Sequence, residues 1–230
     1  MLQFRITTYC LLVLATLVGT SVLRADDAEA KKKSAKNMKE LALALLNFRD
    51  TYNTFPPHPS LQTDLTKRLY SWRVDILPFI EEDNLWKTFK QKEPWDSEDN
   101  KKLLDKMPKT YAPVTDDSKE KNLTHYQIIV GGGAMFDSKK RVKIKDITDG
   151  TSNTIMIVEA EEPVLWTKPA DLVYDPEKPL PKFGGLFKDG FHVAFADGTV
   201  RFIKKDTDEK LIRALITRAG GEAVDLKKLK

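Results

Sequence analysis

The chain has 230 residues and a formal net charge of +4 at pH 7, with 38 basic and 34 acidic residues mixed along its length. This length predicts one ordinary domain with a single core. The two basic clusters, 31–33 and 227–230, are typical of solvated tails, which argues against a nucleic-acid-binding protein. The only cysteine is Cys10, so disulfides and thiolate chemistry are excluded from the rest of the chain.

The first thirty residues have the layout of a secretory signal. A basic residue precedes the uncharged stretch 6–22, and small residues follow it. A cut after Ala30 places Ala at both recognition positions and is favoured over a cut after Ala25. An uncleaved membrane anchor is the alternative, because about 17 apolar residues reach the lower limit for spanning a bilayer. We therefore predict a signal peptide over 1–30, followed by an exported domain with no integral membrane segment.

The first half of that domain predicts helices. Apolar residues recur at spacings of three and four from Ser34 to Tyr52, which predicts a long amphipathic helix ended by Pro56-Pro57. Two short helices are predicted over 69–89. The remaining boundaries are breaks near Pro78 and Asp83 and a further helix from Ser97 to Pro108.

The second half predicts strands. β-Branched runs at Tyr126–Val130 and Thr154–Val158 predict two of them, and the proline-rich segment 167–190 is expected to be a loop without regular elements. Asp206 with Glu209 resembles a capping box for a last helix, which Gly220-Gly221 should end. Helices first and antiparallel strands second are typical of an α+β domain.

Two alternating runs meet at Asp197-Gly198. This dipeptide predicts a two-residue type I′ turn and hence a hairpin. Its register pairs Val193 with Phe202 and Phe195 with Val200, so these four side chains should share one buried face.

Five pieces of the chain, taken in order, resemble a planctomycete family called domain of unknown function 1559, whose members often begin like type IV pilins and pseudopilins. The resemblance spans nearly all of residues 31–230. It implies a pseudopilin-like fold, with the N-terminal helix packed on a small antiparallel sheet. The pieces are Lys36–Phe48 with Thr54–Pro57, Ser71–Val74 with Leu77-Pro78, Glu93–Asp96, Asp146–Thr154 and Phe195–Phe202.

The chain departs from that family at three places. A conventional signal replaces the prepilin methylation segment, which argues against polymerisation through a pilin-like apolar helix. Ala35 and Ala112 stand where members carry two cysteines, and Phe187 stands where members carry a histidine. The resemblance therefore transfers neither a disulfide nor a histidine role to this chain.

Candidate site residues are few. Asp149, Glu159 and Asp197 are candidate calcium ligands, because carboxylates are the oxygen donors that calcium prefers, but they lack EF-hand spacing. Solvated glutamates and turn-forming aspartates are the alternative interpretation. Trp166, at the head of the proline-rich loop, is a candidate sugar-stacking residue, with a core position as its alternative.

The three histidines, at 58, 125 and 192, do not form a recognised metal spacing, and His192 is expected to serve packing or hydrogen bonding. The sequence lacks nucleophile and phosphate-loop motifs. We therefore expect a non-enzymatic envelope protein without a cofactor, periplasmic or at the cell surface, that self-associates or binds an envelope partner. The alternative is a periplasmic glycan- or solute-binding module.

Overall fold

The computed structural model describes residues 4–57, 62, 64, 67–115 and 121–229, and for residues 4–25 and 228 it describes the backbone alone. The side chains of most of the predicted signal peptide, His58 and part of the predicted acidic loop therefore lie outside the described residues. Among the residues whose side chains are described, none of the helices is both long and apolar enough to cross a bilayer.

The longest element is helix α1, Phe4–Tyr52, which includes the helix predicted from Ser34 onward. Its apolar stripe is fully buried, as the three- and four-residue spacing requires. Asn53, with a φ of 54°, takes the left-handed conformation that commonly follows a helix end. The residues of the buried stripe are Met38, Leu41, Ala42, Leu45 and Phe48.

Short helices fill the first half of the domain, as predicted. Ser71 and Ser97 cap two of them, each accepting a hydrogen bond from a backbone N–H in the first turn. The helix predicted from Ser97 to Pro108 is divided into a short α-helix and a 3₁₀ turn. The α-helices are α2 (Trp72–Asp75), α3 (Asp83–Thr88) and α4 (Glu98–Lys101), and the 3₁₀ turns are Leu77–Ile80, Leu104–Lys106 and Lys109–Tyr111.

A four-stranded antiparallel sheet forms the second half, with strand order β1-β3-β5-β6. A pair of two-residue strands, β2 and β4, runs parallel beside it. Another 3₁₀ turn lies at Ile144–Asp146. The strands are β1 (Leu123–Gln127), β2 (Ile129–Val130), β3 (Ile155–Leu165), β4 (Leu172–Val173), β5 (Gly190–Phe195) and β6 (Val200–Lys204).

The strand predicted over Tyr126–Val130 is divided at Ile128. Its backbone N–H donates to the Asp171 carboxylate instead of to a neighbouring strand, 3.3 Å away. The residues after it then pair with β4, within the segment predicted to lack regular elements. A side chain from a distant loop therefore ends β1, which local propensity does not reveal.

The hairpin of β5 and β6 is present, but its predicted register is wrong by one residue. Val193 pairs with Arg201 and His192 with Phe202. The turn has three residues between Phe195 and Thr199, and its only positive φ is that of Gly198, at 81°.

The shifted register places side chains on other faces than predicted. Val193 and Phe195 pack with Ile203 on one face, whereas Val200 packs on the α1 face and is half-buried. Phe202, opposite His192, is half-buried as well. The predicted single apolar face of four side chains therefore does not exist.

Helix α5, Glu209–Ile216, covers the sheet face opposite α1. Its N-cap is Asp208, whose side chain accepts from the backbone N–H of Lys210, so the predicted capping box at Asp206 is wrong. The helix also ends at Thr217, before the predicted glycine pair. A 3₁₀ turn at Leu226–Leu229 completes this layer. The sheet is thus buried on both faces.

Candidate functional site

The three candidate calcium ligands have separate environments. Asp149 accepts hydrogen bonds from the backbone N–H groups of Gly220 and Gly221, at 2.7 and 2.9 Å. Asp197 accepts from Thr199 in the hairpin turn, and Glu159 is fully buried in β3. In the described part of the chain, His, Cys, Asp and Glu side chains do not form any group of three that could hold a metal ion.

Trp166 is a core residue, with 0% of its surface exposed. Its ring stacks on Tyr111 at 6.0 Å between centroids, and its indole N–H donates to the carbonyl of Leu104 at 3.0 Å. Both the ring faces and the polar edge are therefore occupied within the protein. The surface interpretation of this tryptophan is wrong, because long-range packing determines its burial.

Two of the histidines are in the described structure and lie in the sheet. His125 in β1 contacts the carbonyl of Ala160 through Nδ1 at 2.8 Å. His192 in β5 is 5% exposed and its Nδ1 lies 3.0 Å from Glu159 Oε1. The expected hydrogen-bonding role of His192 is confirmed.

A buried polar cluster joins α1 to the sheet, and we call it the Glu159 cluster: Ser34, Tyr126, Glu159 and His192. Ser34 donates to Glu159 Oε1, and its hydroxyl lies 2.8 Å from the Tyr126 hydroxyl. Glu159 Oε2 accepts from the backbone N–H of His192 at 2.7 Å. Both carboxylate oxygens are thus partnered within the core.

Aromatic rings and a lysine close the Glu159 cluster on its outer side. The His192 ring packs edge-on against Phe187 and Phe202, at 5.5 and 4.9 Å between centroids. Lys31 Nζ lies 4.7 Å from the Phe202 centroid and donates to Asp189 at 2.7 Å. Phe187, at the position where relatives carry a histidine, therefore helps to exclude water from His192.

The chemistry of the Glu159 cluster is that of a structural network. Ser34 and His192 meet the same carboxylate oxygen, whereas nucleophilic catalysis needs the hydroxyl to contact the imidazole. Burial raises the pKa of Tyr126 well above its ordinary value, so its hydroxyl remains a donor at physiological pH.

A second buried network centres on the ion pair of Arg73 and Asp171. Arg73 Nη2 lies 3.2 Å from Asp171 Oδ1, and the two side chains are 0% and 3% exposed. The guanidinium also donates to the carbonyl of Tyr126 at 2.9 and 2.7 Å and to the hydroxyl of Ser71 at 2.7 Å. The Ser71–Arg73 segment of the sequence thus supplies most of this network.

Asp171 is only half satisfied. Its Oδ1 accepts from Arg73, from the indole N–H of Trp72 at 3.1 Å and from the N–H of Ile128 at 3.3 Å. Its Oδ2 has no hydrogen-bond partner among the described residues. Burial raises the pKa of this carboxyl, although the charge of Arg73 opposes the shift.

Asp171 also forms part of the wall of a surface cavity of about 400 Å³, which we call the Asp171 cavity. This volume lies within the range of about 300–1,000 Å³ that is typical of small-molecule sites. The other residues that matter for its chemistry are Lys67, Arg68, Val130, Ser138, Pro169 and Val173.

Sequence reasoning did not single out Ser34, Arg73 or Asp171 as site residues. A local signal existed for Arg73, which lies in one of the five family-like pieces. For Asp171 it did not exist, because its partners Trp72 and Arg73 lie about one hundred residues away in sequence.

The model of one protein family, described as "Protein of unknown function (DUF1559)", matches residues 29–115 and 105–185. The chain belongs to the DUF1559 family. Comparisons with curated proteins and with solved structures gave no match. The DUF1559 match includes Ser34, Glu159 and the pair of Arg73 with Asp171, so both buried networks lie largely within the family's region.

Proposed function

We propose that this DUF1559 protein is an exported, non-enzymatic protein of the cell envelope with a structural or interaction role related to that of pseudopilins. The observation that carries the proposal is the unequal burial of α1. From Ser34 onward the helix packs on the sheet, whereas residues 26–29 of the same helix are exposed. The N-terminal part of the helix is therefore available for attachment or assembly.

The non-enzymatic part of the proposal is supported by the Glu159 cluster. Its hydroxyl, carboxylate and imidazole groups are the chain's most promising catalytic combination, and they bind one another in the core. A catalytic group must reach its substrate within hydrogen-bonding distance. The burial of Ser34, Glu159 and His192 therefore favours a role in fixing α1 to the sheet.

Export is tested by producing the full chain in a Gram-negative bacterium, fractionating the cells and sequencing the N-terminus of the product. We expect a periplasmic protein that begins at Lys31. A protein in the cytoplasm that still carries its first thirty residues would contradict export.

The interaction role is tested by sedimentation velocity of the exported protein. Leu43 on α1 and Ile144 in a loop are both exposed, at 45% and 40%, and provide a matched pair for substitution. We expect self-association that Leu43→Lys abolishes and Ile144→Lys leaves unchanged. Association that responds equally to both substitutions, or a monomer at every concentration, would argue against assembly through α1.

The second candidate function, binding of a small solute, is favoured by one specific observation, the Asp171 cavity.

A further inference from the structure

The Asp171 cavity combines an incompletely satisfied carboxylate with a positively charged wall. A buried polar atom without a partner costs about 1–3 kcal/mol, so native proteins rarely retain one without a reason. Asp171 Oδ2 is such an atom, in a residue that lines the cavity. The feature that it lacks is a hydrogen-bond donor, which a ligand hydroxyl supplies.

The cationic side chains of the wall favour the opposite chemistry. Lys67 and Arg68 both line the cavity, and neither forms an ion pair with another described residue. The charge of Asp171 is already matched by Arg73. The cavity therefore retains about two unmatched positive charges, and Ser138 adds a hydroxyl. A carboxylate is the ligand group that these donors suit, since Arg binds it through two N–H groups.

The rest of the wall is apolar. Val130, Pro169 and Val173 line the cavity, and Val173 is 72% exposed although it lies in a strand. An exposed branched side chain beside charged donors suits a ligand that is apolar on one face and polar at its edge. A pyranose ring has this character, with C–H groups on its faces and hydroxyls at its rim.

We propose that the Asp171 cavity binds a sugar acid of the hexuronate class, whose carboxylate accepts hydrogen bonds from Arg68 and Lys67 while a ring hydroxyl donates to Asp171. The ring packs against Val130 and Val173. This binding is independent of the assembly role proposed above, because α1 does not contribute a residue to the cavity.

The test is a titration of the full chain, measured by calorimetry and by amide chemical shifts. The probes are D-glucuronate, D-glucose and acetate. We expect saturable binding of glucuronate below about 1 mM and at least about tenfold weaker binding of both other probes, since glucose lacks the carboxylate and acetate lacks the hydroxyls. Absence of glucuronate binding, or equal binding of acetate, overturns the proposal.

Substitutions locate the site. Arg68→Gln should weaken glucuronate binding about tenfold or more, because it removes a charge-assisted contact. Lys178→Gln, in the wall of a neighbouring cavity, is the matched control and should leave binding unchanged. Equal losses from the two substitutions would indicate nonspecific attraction of an anion and would also overturn the proposal.

Asp171→Asn tests the hydroxyl contact. It should weaken glucuronate binding while near-UV circular dichroism reports whether the fold is retained. Should this variant unfold, Val173→Trp, which fills the cavity from an exposed position, should reduce glucuronate binding by a similar factor. A folded Val173→Trp protein that binds glucuronate normally would place the ligand elsewhere.

Discussion

Two carboxylates are buried in this protein, and they are satisfied to different degrees. Glu159 lies between α1 and the sheet, where Ser34 and His192 provide donors for both of its oxygens. Asp171 receives three donors on one oxygen and none from described residues on the other. Complete satisfaction is typical of a structural network, whereas an incomplete one beside a cavity indicates a place for a ligand.

The largest expected effect comes from Arg73→Met, which leaves Asp171 buried without its counter-charge. Removing one partner of a buried pair costs about 3–5 kcal/mol in the free energy of unfolding. Urea denaturation at pH 7 measures it. Arg213→Met, which removes an exposed pair with Glu209, is the control and should cost about 1 kcal/mol or less. Equal costs would mean that the Arg73 pair does not stabilise the fold.

A smaller effect is expected from Ser34→Ala in the Glu159 cluster. The substitution removes a buried hydroxyl that contacts Tyr126 and Glu159, and it should lower the free energy of unfolding by about 1–3 kcal/mol. Thr51→Ala on the same helix removes an exposed hydroxyl and should change it by about 0.5 kcal/mol or less. Similar values for the two variants in urea denaturation would show that the cluster does not anchor α1.

The smallest effect concerns the exposed pair of Lys31 and Asp189 outside the Glu159 cluster. The hydrogen bond from Lys31 lowers the pKa of Asp189, so the pair stabilises the fold above the ordinary aspartate pKa of about 4. That contribution is lost as the pH falls through the lowered pKa. Asp189→Asn should therefore cost about 0.2–1 kcal/mol at pH 7 and nothing near pH 2. A cost that grows at low pH would contradict this sign.

Local patterns in the sequence predicted the elements well. The α1 stripe, the caps at Ser71 and Ser97 seen in the structure, and the existence of the final hairpin all depend on residues close together in the chain. The predictions that were wrong depend on finer or more distant choices. Asp197 with a negative φ gives a three-residue turn rather than a two-residue one, and this single angle shifts all of β6.

The site was less predictable than the fold. Glu159 was considered as a calcium ligand, but its real partners, Ser34 and His192, lie 125 and 33 residues away. Trp166 gave no sequence signal that distinguishes a core position from a surface one. Asp171 lies in a segment whose composition indicates a loop, so only the folded chain reveals that its carboxylate is buried.

The location of Ser34 has a practical consequence for anyone trimming this protein. Only three residues separate it from Ala30, the last residue of the predicted leader. A shortened recombinant form that begins at Lys36 would leave Glu159 in the interior without the hydroxyl donor, and its yield should suffer accordingly. The safe starting points for expression end just one helical turn before this serine.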